Sequence, residues 1–147
     1  MTETSYEKLP NEHKELIDAA EKALVNAYNP YSSSKIKVAS AVRATSGEII
    51  TGACYVNSSS PSSICAERAT IITANSLGKK DLQAMAIIGT KEKGIINPVT
   101  PCGNCRQVMQ EAVNISGRDL IVICSNSDKT KIMMTSVKEL LPFPYVG

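Results

Sequence analysis

The sequence predicts an α/β fold, and three observations support this prediction. The chain has 147 residues, of which 43% are hydrophobic, and this is enough for one packed core. An amphipathic helix comes first, and a pair of strands follows it. In the second half, helical segments alternate with short strands, and such crossovers place helices on the faces of a sheet. We therefore expect a single domain, residues 1–147, built as a three-layer α/β/α sandwich around a mixed sheet.

The first half of the chain contains one predicted helix and a predicted hairpin. Apolar residues recur at helical spacing over residues 13–28. Pro30 ends this helix, because proline cannot continue the ladder of backbone hydrogen bonds. Residues 37–44 and 48–54 have the composition of strands, and Ser46-Gly47 between them has that of a turn. A serine-rich loop, residues 57–63, follows the second strand.

The second half alternates helices with strands. A helix is predicted over residues 65–76, with Gly78 just beyond its end, and residues 83–89 form a buried strand. A loop over residues 91–100 leads to Pro101, which opens the next helix. The remaining predicted elements are a helix over 101–114, a strand over 120–125, a strand at Met133-Met134 and a short helix over 137–140.

Charge and hydropathy argue against several classes of partner. The net charge is +2, and the 16 basic residues are scattered along the chain instead of forming a patch for nucleic acid. No apolar run has membrane-spanning length. The first ten residues are polar and lack the apolar core of a signal peptide. We expect a cytoplasmic protein that acts on a small molecule, without nucleic-acid or membrane partners.

The cysteines indicate metal binding or catalysis. Their number is odd, which makes a disulfide framework a poor explanation in a reducing compartment. Those at 54 and 124 fall in predicted strands, where we expect buried thiols. The five positions are Cys54, Cys65, Cys102, Cys105 and Cys124.

Three of these cysteines stand where loops become helices. Unpaired N–H groups and the helix dipole stabilise thiolate at such positions, and zinc binds thiolate. Cys102 and Cys105, spaced C-x-x-C, can reach one ion from a single helical turn, and Cys65 can supply a third ligand. Three protein ligands leave the fourth tetrahedral position open, as in catalytic zinc sites.

Glu67 is the candidate catalytic residue. It lies two residues after Cys65, close enough to accept a proton from water at the metal and to return it to a leaving amine. A zinc ion with three thiolates carries a net charge of −1, and Arg68 and Gln107 are expected to contact the sulfurs and offset it. The alternatives are a structural zinc site or core thiols for the C-x-x-C pair, and an ordinary exposed glutamate for Glu67. The combination of both stretches favours catalysis over these alternatives.

Two motifs resemble those of a known family. Cys65-Ala66-Glu67-Arg68 and Pro101-Cys102-Gly103-Asn104-Cys105-Arg106-Gln107 resemble the zinc motifs of the cytidine deaminases with three cysteine ligands. Ala27-Tyr28-Asn29-Pro30-Tyr31-Ser32 and Leu140-Leu141-Pro142-Phe143 are similar to other segments of that family. The resemblance implies a zinc-dependent hydrolytic deaminase of cytidine and deoxycytidine. It further implies a homotetramer whose active sites are completed by neighbouring subunits.

The resemblance also assigns a substrate pocket, and there the sequence departs from the family. The ribose-binding Asn-x-Glu of the family corresponds to Cys54 and Val56, which cannot replace its hydrogen bonds. Val38-Ala39-Ser40-Ala41 is similar to the blasticidin S deaminase branch. The alternatives are therefore deamination of a modified cytosine nucleoside or of another amino-heterocycle, or a zinc-stabilised binding protein, against which the intact Glu67 argues. The expected pocket residues are Ile36, Cys54, Val56, Asn57, Ser63, Ala66, Pro101 and Phe143.

Overall fold

The computed structural model describes residues 1–31, 33 and 35–147, and shows one six-stranded sheet with helices on both faces. Ser32, the last residue of the motif after the first helix, lies outside the described residues. The strands are β1 (Thr2–Thr4), β2 (Lys37–Ala44), β3 (Ile49–Ala53), β4 (Leu82–Thr90), β5 (Ile121–Ser125) and β6 (Ile132–Ser136). The α-helices are α1 (Asn11–Ala23), α2 (Ala66–Ser76), α3 (Gly103–Ser116) and α4 (Val137–Leu140).

The sheet is mixed, as predicted. Its strand order is β1-β6-β5-β4-β2-β3. β4 and β5 are parallel and are connected through α3, whereas the other neighbouring strands pair antiparallel. The hairpin of β2 and β3 pairs Ala39 with Ala53. Among the described residues, none of the helices has the length and hydropathy needed to span a bilayer.

The alternating side chains of β4 divide the core into two layers. Ala84, Ala86 and Ile88 pack on the face covered by α1, together with its buried Leu16 and Ile17. The intervening residues of β4 face α2 and α3, because side chains alternate across a strand. That second layer includes Met85, Ile87, Ala74, Met109 and Val113. The predicted three-layer α/β/α sandwich is therefore confirmed.

A close approach between β3 and α2 fixes the start of α2. A Cβ on Gly52 would lie 2.5 Å from Thr70 Oγ1 and 2.6 Å from Thr70 N, so only glycine fits there without displacement. The Thr70 hydroxyl also donates to Ala66 O at 2.9 Å and bonds the Ser40 hydroxyl on β2. The first turn of α2, which carries the motif residues Ala66, Glu67 and Arg68, is thereby held against the sheet.

Two elements differ from the sequence-based prediction. The first helix does not extend over residues 13–28; α1 ends at Ala23 and a 3₁₀ turn, Leu24–Asn26, follows. The reason is strand-like pairing, since the Tyr28 amide donates to Cys54 O at 2.9 Å and cannot also serve a helix. β1 was not predicted, because a three-residue polar strand has no recognisable pattern and forms only by pairing with β6. The other predicted boundaries lie within two residues of those observed.

Candidate active site

The three motif cysteines meet where α2 and α3 begin side by side. Cys65 and Cys102 are the N-cap residues of the two helices, with extended backbone conformations, rather than their first helical residues. The Cys102 sulfur accepts a hydrogen bond from the Cys105 amide at 3.4 Å, which is the capping bond of α3. The N-terminus of α3 therefore directs an N–H group at a sulfur, whereas Cys65 accepts no such capping bond from α2 and has only the positive end of the helix dipole beside it.

The sulfur geometry fits a tetrahedral metal ion. The Cys65 and Cys102 sulfurs are 4.0 Å apart, those of Cys102 and Cys105 are 3.4 Å apart, and all three lie within 4.8 Å of one another. Zinc–sulfur bonds of about 2.3 Å in a tetrahedron place sulfurs about 3.8 Å apart. The exposed Cys102 and half-buried Cys65 leave the cluster open on one side, while Cys105 is buried. This donor set can hold zinc and leave one position free for a reactant.

Two of the three thiols have pKa values shifted in opposite directions. Hydrogen bonding by Cys105 is the largest contribution that lowers the pKa of Cys65 to about 5, and Cys102 and Arg68 act in the same direction against the effect of burial. The pKa of Cys105 is raised, because its thiol donates to Cys65 and is itself desolvated. The lowered pKa of Cys65 favours its thiolate form, which is the form that binds a metal ion.

Glu67 is a buried carboxyl beside this cluster. Its side chain belongs to the first turn of α2, and only 4% of the residue is exposed. Burial is the main cause that raises the pKa of Glu67, and the Cys65 charge adds to it, whereas its own backbone N–H, Cys105 and Arg68 lower it. A carboxyl whose pKa is raised by burial holds a proton more readily than an exposed one, which suits it both to accept and to donate a proton during one reaction cycle.

Comparison with known proteins agrees with this chemistry. The family model of the cytidine and deoxycytidylate deaminase zinc-binding region matches residues 10–119. The chain belongs to this family. A cytidine deaminase from Sporosarcina psychrophila is 38% identical over 129 residues, which cover 88% of each protein. A cytidine deaminase crystal structure from Burkholderia pseudomallei superimposes with a TM-score of 0.77 and 32% identity, over 90% of this chain and 98% of that one.

The resemblance to the blasticidin branch is also supported, at lower identity. A blasticidin-S deaminase from Bacillus cereus is 28% identical over 119 residues, 78% of this chain and 81% of that protein. Membership of the cytidine deaminase family makes the chain a hydrolytic deaminase with a zinc-binding region. Its remaining motif residues can be assigned from their contacts.

Arg68 and Gln107 have different partners. Arg68 Nη2 donates to Ser63 O at 2.8 Å, and its hydrogen bond and charge help to lower the pKa of Cys65. The side-chain amide of Gln107 makes two hydrogen bonds to the backbone of Tyr145. It donates to the Tyr145 carbonyl at 3.0 Å and accepts from the Tyr145 N–H at 3.1 Å. Arg68 thus lies beside the Cys65 sulfur, and its predicted role of offsetting the thiolate charge stays a prediction. Gln107 faces the C-terminal segment, because two residues along a helix rotate it about 200° from Cys105.

The pocket loop, residues 54–64, satisfies much of its own hydrogen bonding. The Cys54 sulfur is buried and accepts from the Val38 amide at 3.4 Å, and the Val56 amide donates to Tyr28 O at 2.8 Å. Asn57 Oδ1 accepts from the Ser59 backbone N–H at 2.8 Å, and the Asn57 backbone N–H donates to the Ser63 hydroxyl oxygen at 3.0 Å. Cys54 and Val56 add no ribose-binding group, and the side-chain oxygens of Asn57 and Ser63 each accept a hydrogen bond within the loop.

The other expected pocket residues differ in burial. Ala66 and Pro101 are buried at the starts of the two helices, whereas Ile36 is 38% exposed and Phe143 is 92% exposed. Within one chain, Phe143 projects into solvent.

The sequence did not identify Arg106 as a contact residue, although Arg106 adjoins Cys105. Arg106 Nε donates to Pro101 O at 2.9 Å.

A stacked tyrosine pair was also missed. The rings of Tyr28 and Tyr55 lie 5.4 Å apart with an interplanar angle of 24°. Alternation along an extended segment could have indicated this pair, since Tyr55 must point away from its neighbours Cys54 and Val56.

Cys124 is buried as expected. Burial, with a smaller effect of Glu67, raises the pKa of Cys124 to about 12, so this thiol remains protonated.

Proposed function

We propose that this enzyme hydrolyses cytidine and deoxycytidine to uridine and deoxyuridine, releasing ammonia, with one zinc ion held by Cys65, Cys102 and Cys105. The observation that carries the proposal is the meeting of three sulfurs with a buried carboxyl at two adjacent helix starts. The cytidine deaminases that it resembles in sequence and structure support the choice of substrate. The whole chain acts as one catalytic domain in this proposal.

Each residue of the site has a distinct role in the proposed reaction. A bound zinc ion supplies Lewis-acid activation of water. Glu67 accepts a proton from the attacking water and delivers one to the amine that leaves as ammonia, so that water and cytidine are consumed as uridine and ammonia form. Arg68 balances the excess negative charge of the thiolates through its contact with Cys65. Burial of Glu67 keeps bulk water from competing for its proton.

We further propose a cytoplasmic homotetramer that acts on small molecules and requires neither nucleic acid nor membrane. The family resemblance supports the tetramer. The exposure of Phe143, which is 92% accessible in one chain, is consistent with its insertion at a neighbouring subunit. The scattered positive charge supports the absence of a nucleic-acid partner.

A panel of substrates tests the proposal. Metal-loaded protein is incubated with cytidine, deoxycytidine, cytosine and blasticidin S, and ammonia is measured together with the deaminated product. We expect ammonia and uridine in equal amounts from cytidine, and neither from the matched variant Glu67→Gln. A fully zinc-loaded wild type that releases no ammonia from any of the four compounds would refute the proposal.

A modified cytosine nucleoside is the second candidate substrate. Cys54 and Val56 are apolar, and polar groups of the pocket loop hydrogen-bond to one another. Both features favour a substrate whose ring substituent is not recognised through ribose hydroxyls. The blasticidin-S deaminase relative supports this candidate. In the panel, a higher kcat/KM for blasticidin S than for cytidine would select it.

A further inference from the structure

The C-terminal arm, residues 141–146, combines exposed apolar side chains with a fixed backbone. Phe143, Tyr145 and Val146 are 92%, 79% and 72% exposed. An isolated segment of this kind would be expected to move freely, because side chains in water do not hold it. Here hydrogen bonds from α3 hold the backbone of the arm instead, so its apolar side chains are displayed in one position.

Two consecutive residues of α3 provide these hydrogen bonds. The Gln107 amide bonds both the carbonyl and the N–H of Tyr145, at 3.0 and 3.1 Å. Arg106 Nη1 donates to Leu140 O, just before the arm, at 3.1 Å, while its Nε donates to Pro101 O. The arm is therefore attached at both ends to the turn of α3 that follows Cys105.

We propose that Gln107 is a positioning residue that holds the C-terminal arm so that Phe143 is presented to a second copy of this chain. It acts through the arm and not through the metal. Because the proposed function places Phe143 beside a neighbouring substrate site, Gln107 of one subunit then sets the substrate affinity of another. This consequence rests on the proposed function, whereas the attachment of the arm does not.

The amide group of Gln107 is suited to this role. A side-chain amide offers one donor and one acceptor side by side, which match the carbonyl and N–H of a single backbone residue. With both engaged, the side chain is committed to Tyr145 and is turned away from the sulfurs. Asparagine carries the same group on a stem shorter by one methylene, so we expect it to miss both Tyr145 bonds from the same helical position.

Hydrogen–deuterium exchange of the arm tests the attachment directly. In Gln107→Ala and Gln107→Asn, we expect exchange at Tyr145 to accelerate by roughly 5- to 100-fold, the value of two ordinary hydrogen bonds. The matched control Asn114→Ala removes an exposed amide from the far end of the same helix, and should leave exchange of the arm unchanged. Unchanged exchange at Tyr145 in Gln107→Ala would overturn the proposal.

Assembly and kinetics test the consequence. For Gln107→Ala we expect a weaker oligomer by sedimentation velocity, and a KM for cytidine raised at least about threefold with kcat changed less than about twofold. Zinc content should stay at about one ion per chain. Loss of zinc, or a lower kcat at unchanged KM, would place Gln107 at the metal and overturn the proposal.

The outcomes separate this inference from the proposed function. A wild type that deaminates none of the panel compounds refutes the function, yet exchange and sedimentation still report on the arm. A wild type that sediments as a monomer overturns the presentation of Phe143 to a second copy, whatever its activity. A loosened arm with a weakened oligomer in Gln107→Ala supports the inference in either case.

Discussion

The metal end of the site and the pocket loop use their polar groups in different ways. At the metal end, three sulfurs lie within 4.8 Å of one another beside the buried Glu67 carboxyl, and the pKa values of Cys65, Cys105 and Glu67 are shifted by neighbouring groups and by burial. In the pocket loop, Asn57 and Ser63 hydrogen-bond within the loop itself, and Cys54 and Val56 are apolar. The first arrangement brings ionisable groups together, whereas in the second the Asn57 and Ser63 oxygens accept hydrogen bonds within the loop. We therefore expect catalysis and substrate preference to depend on separate parts of this molecule.

The largest effect should come from Glu67, which would confirm the metal end as the reactive part. Glu67→Gln keeps the size and burial of the side chain but cannot take up the proton. We expect kcat for cytidine to fall at least about 10,000-fold, because both proton transfers are lost. Zinc content and thermal stability, measured in parallel, should remain close to those of wild type. Ammonia release near the wild-type rate would contradict the assignment.

Removing one sulfur should separate metal binding from folding. Cys102→Ala is expected to lower zinc affinity by more than about a hundredfold, beyond the effect typical of residues that only support a ligand. Metal analysis after dialysis against a chelator measures this loss. The control Cys124→Ala removes a buried thiol outside the trio and should retain zinc. Full zinc retention in Cys102→Ala would exclude the proposed ligand set.

Local sequence patterns predicted that three cysteines come together, but not every contact around them. Cys65, Cys102 and Cys105 stand in short motifs at helix starts, and their sulfurs lie within 4.8 Å of one another. Their roles, and that of Glu67, stay predictions. The partner of Gln107 could not be predicted, because Tyr145 is 38 positions away and only the folded chain brings its backbone to α3.

The same reason explains the errors in the fold. β1 exists only through its pairing with β6, and the end of α1 is decided by hydrogen bonds between Tyr28 and residues of the pocket loop. Both depend on contacts between distant parts of the sequence. By contrast, the alternation of β4 between two apolar faces is a local pattern, and the sandwich was predicted correctly from such patterns.

The pocket loop can be tested by restoring the family pattern. Cys54→Asn combined with Val56→Glu adds groups that can bond ribose hydroxyls, and we expect kcat/KM for cytidine relative to cytosine to rise by about 10- to 100-fold. The control Cys54→Ala with Val56→Ala changes the same positions without adding such groups and should show no rise. A wild type that already handles cytidine efficiently and strongly prefers it to cytosine would show that ribose is bound elsewhere.

Among the metal-end, pocket-loop and Phe143 variants, the smallest effect should come from Phe143, which belongs to neither end of the site within one chain. Its side chain is almost fully exposed, so truncation should leave the fold intact. If it packs on substrate or on the pocket loop of a neighbouring subunit, Phe143→Ala removes apolar contact there and raises KM by about 5- to 20-fold with little change in kcat. Val25→Ala, which shortens another exposed apolar side chain, should leave KM unchanged. Because this effect requires a second subunit, light scattering must show an oligomer at assay concentration. A monomer with wild-type KM would mean that each chain closes its own pocket without Phe143.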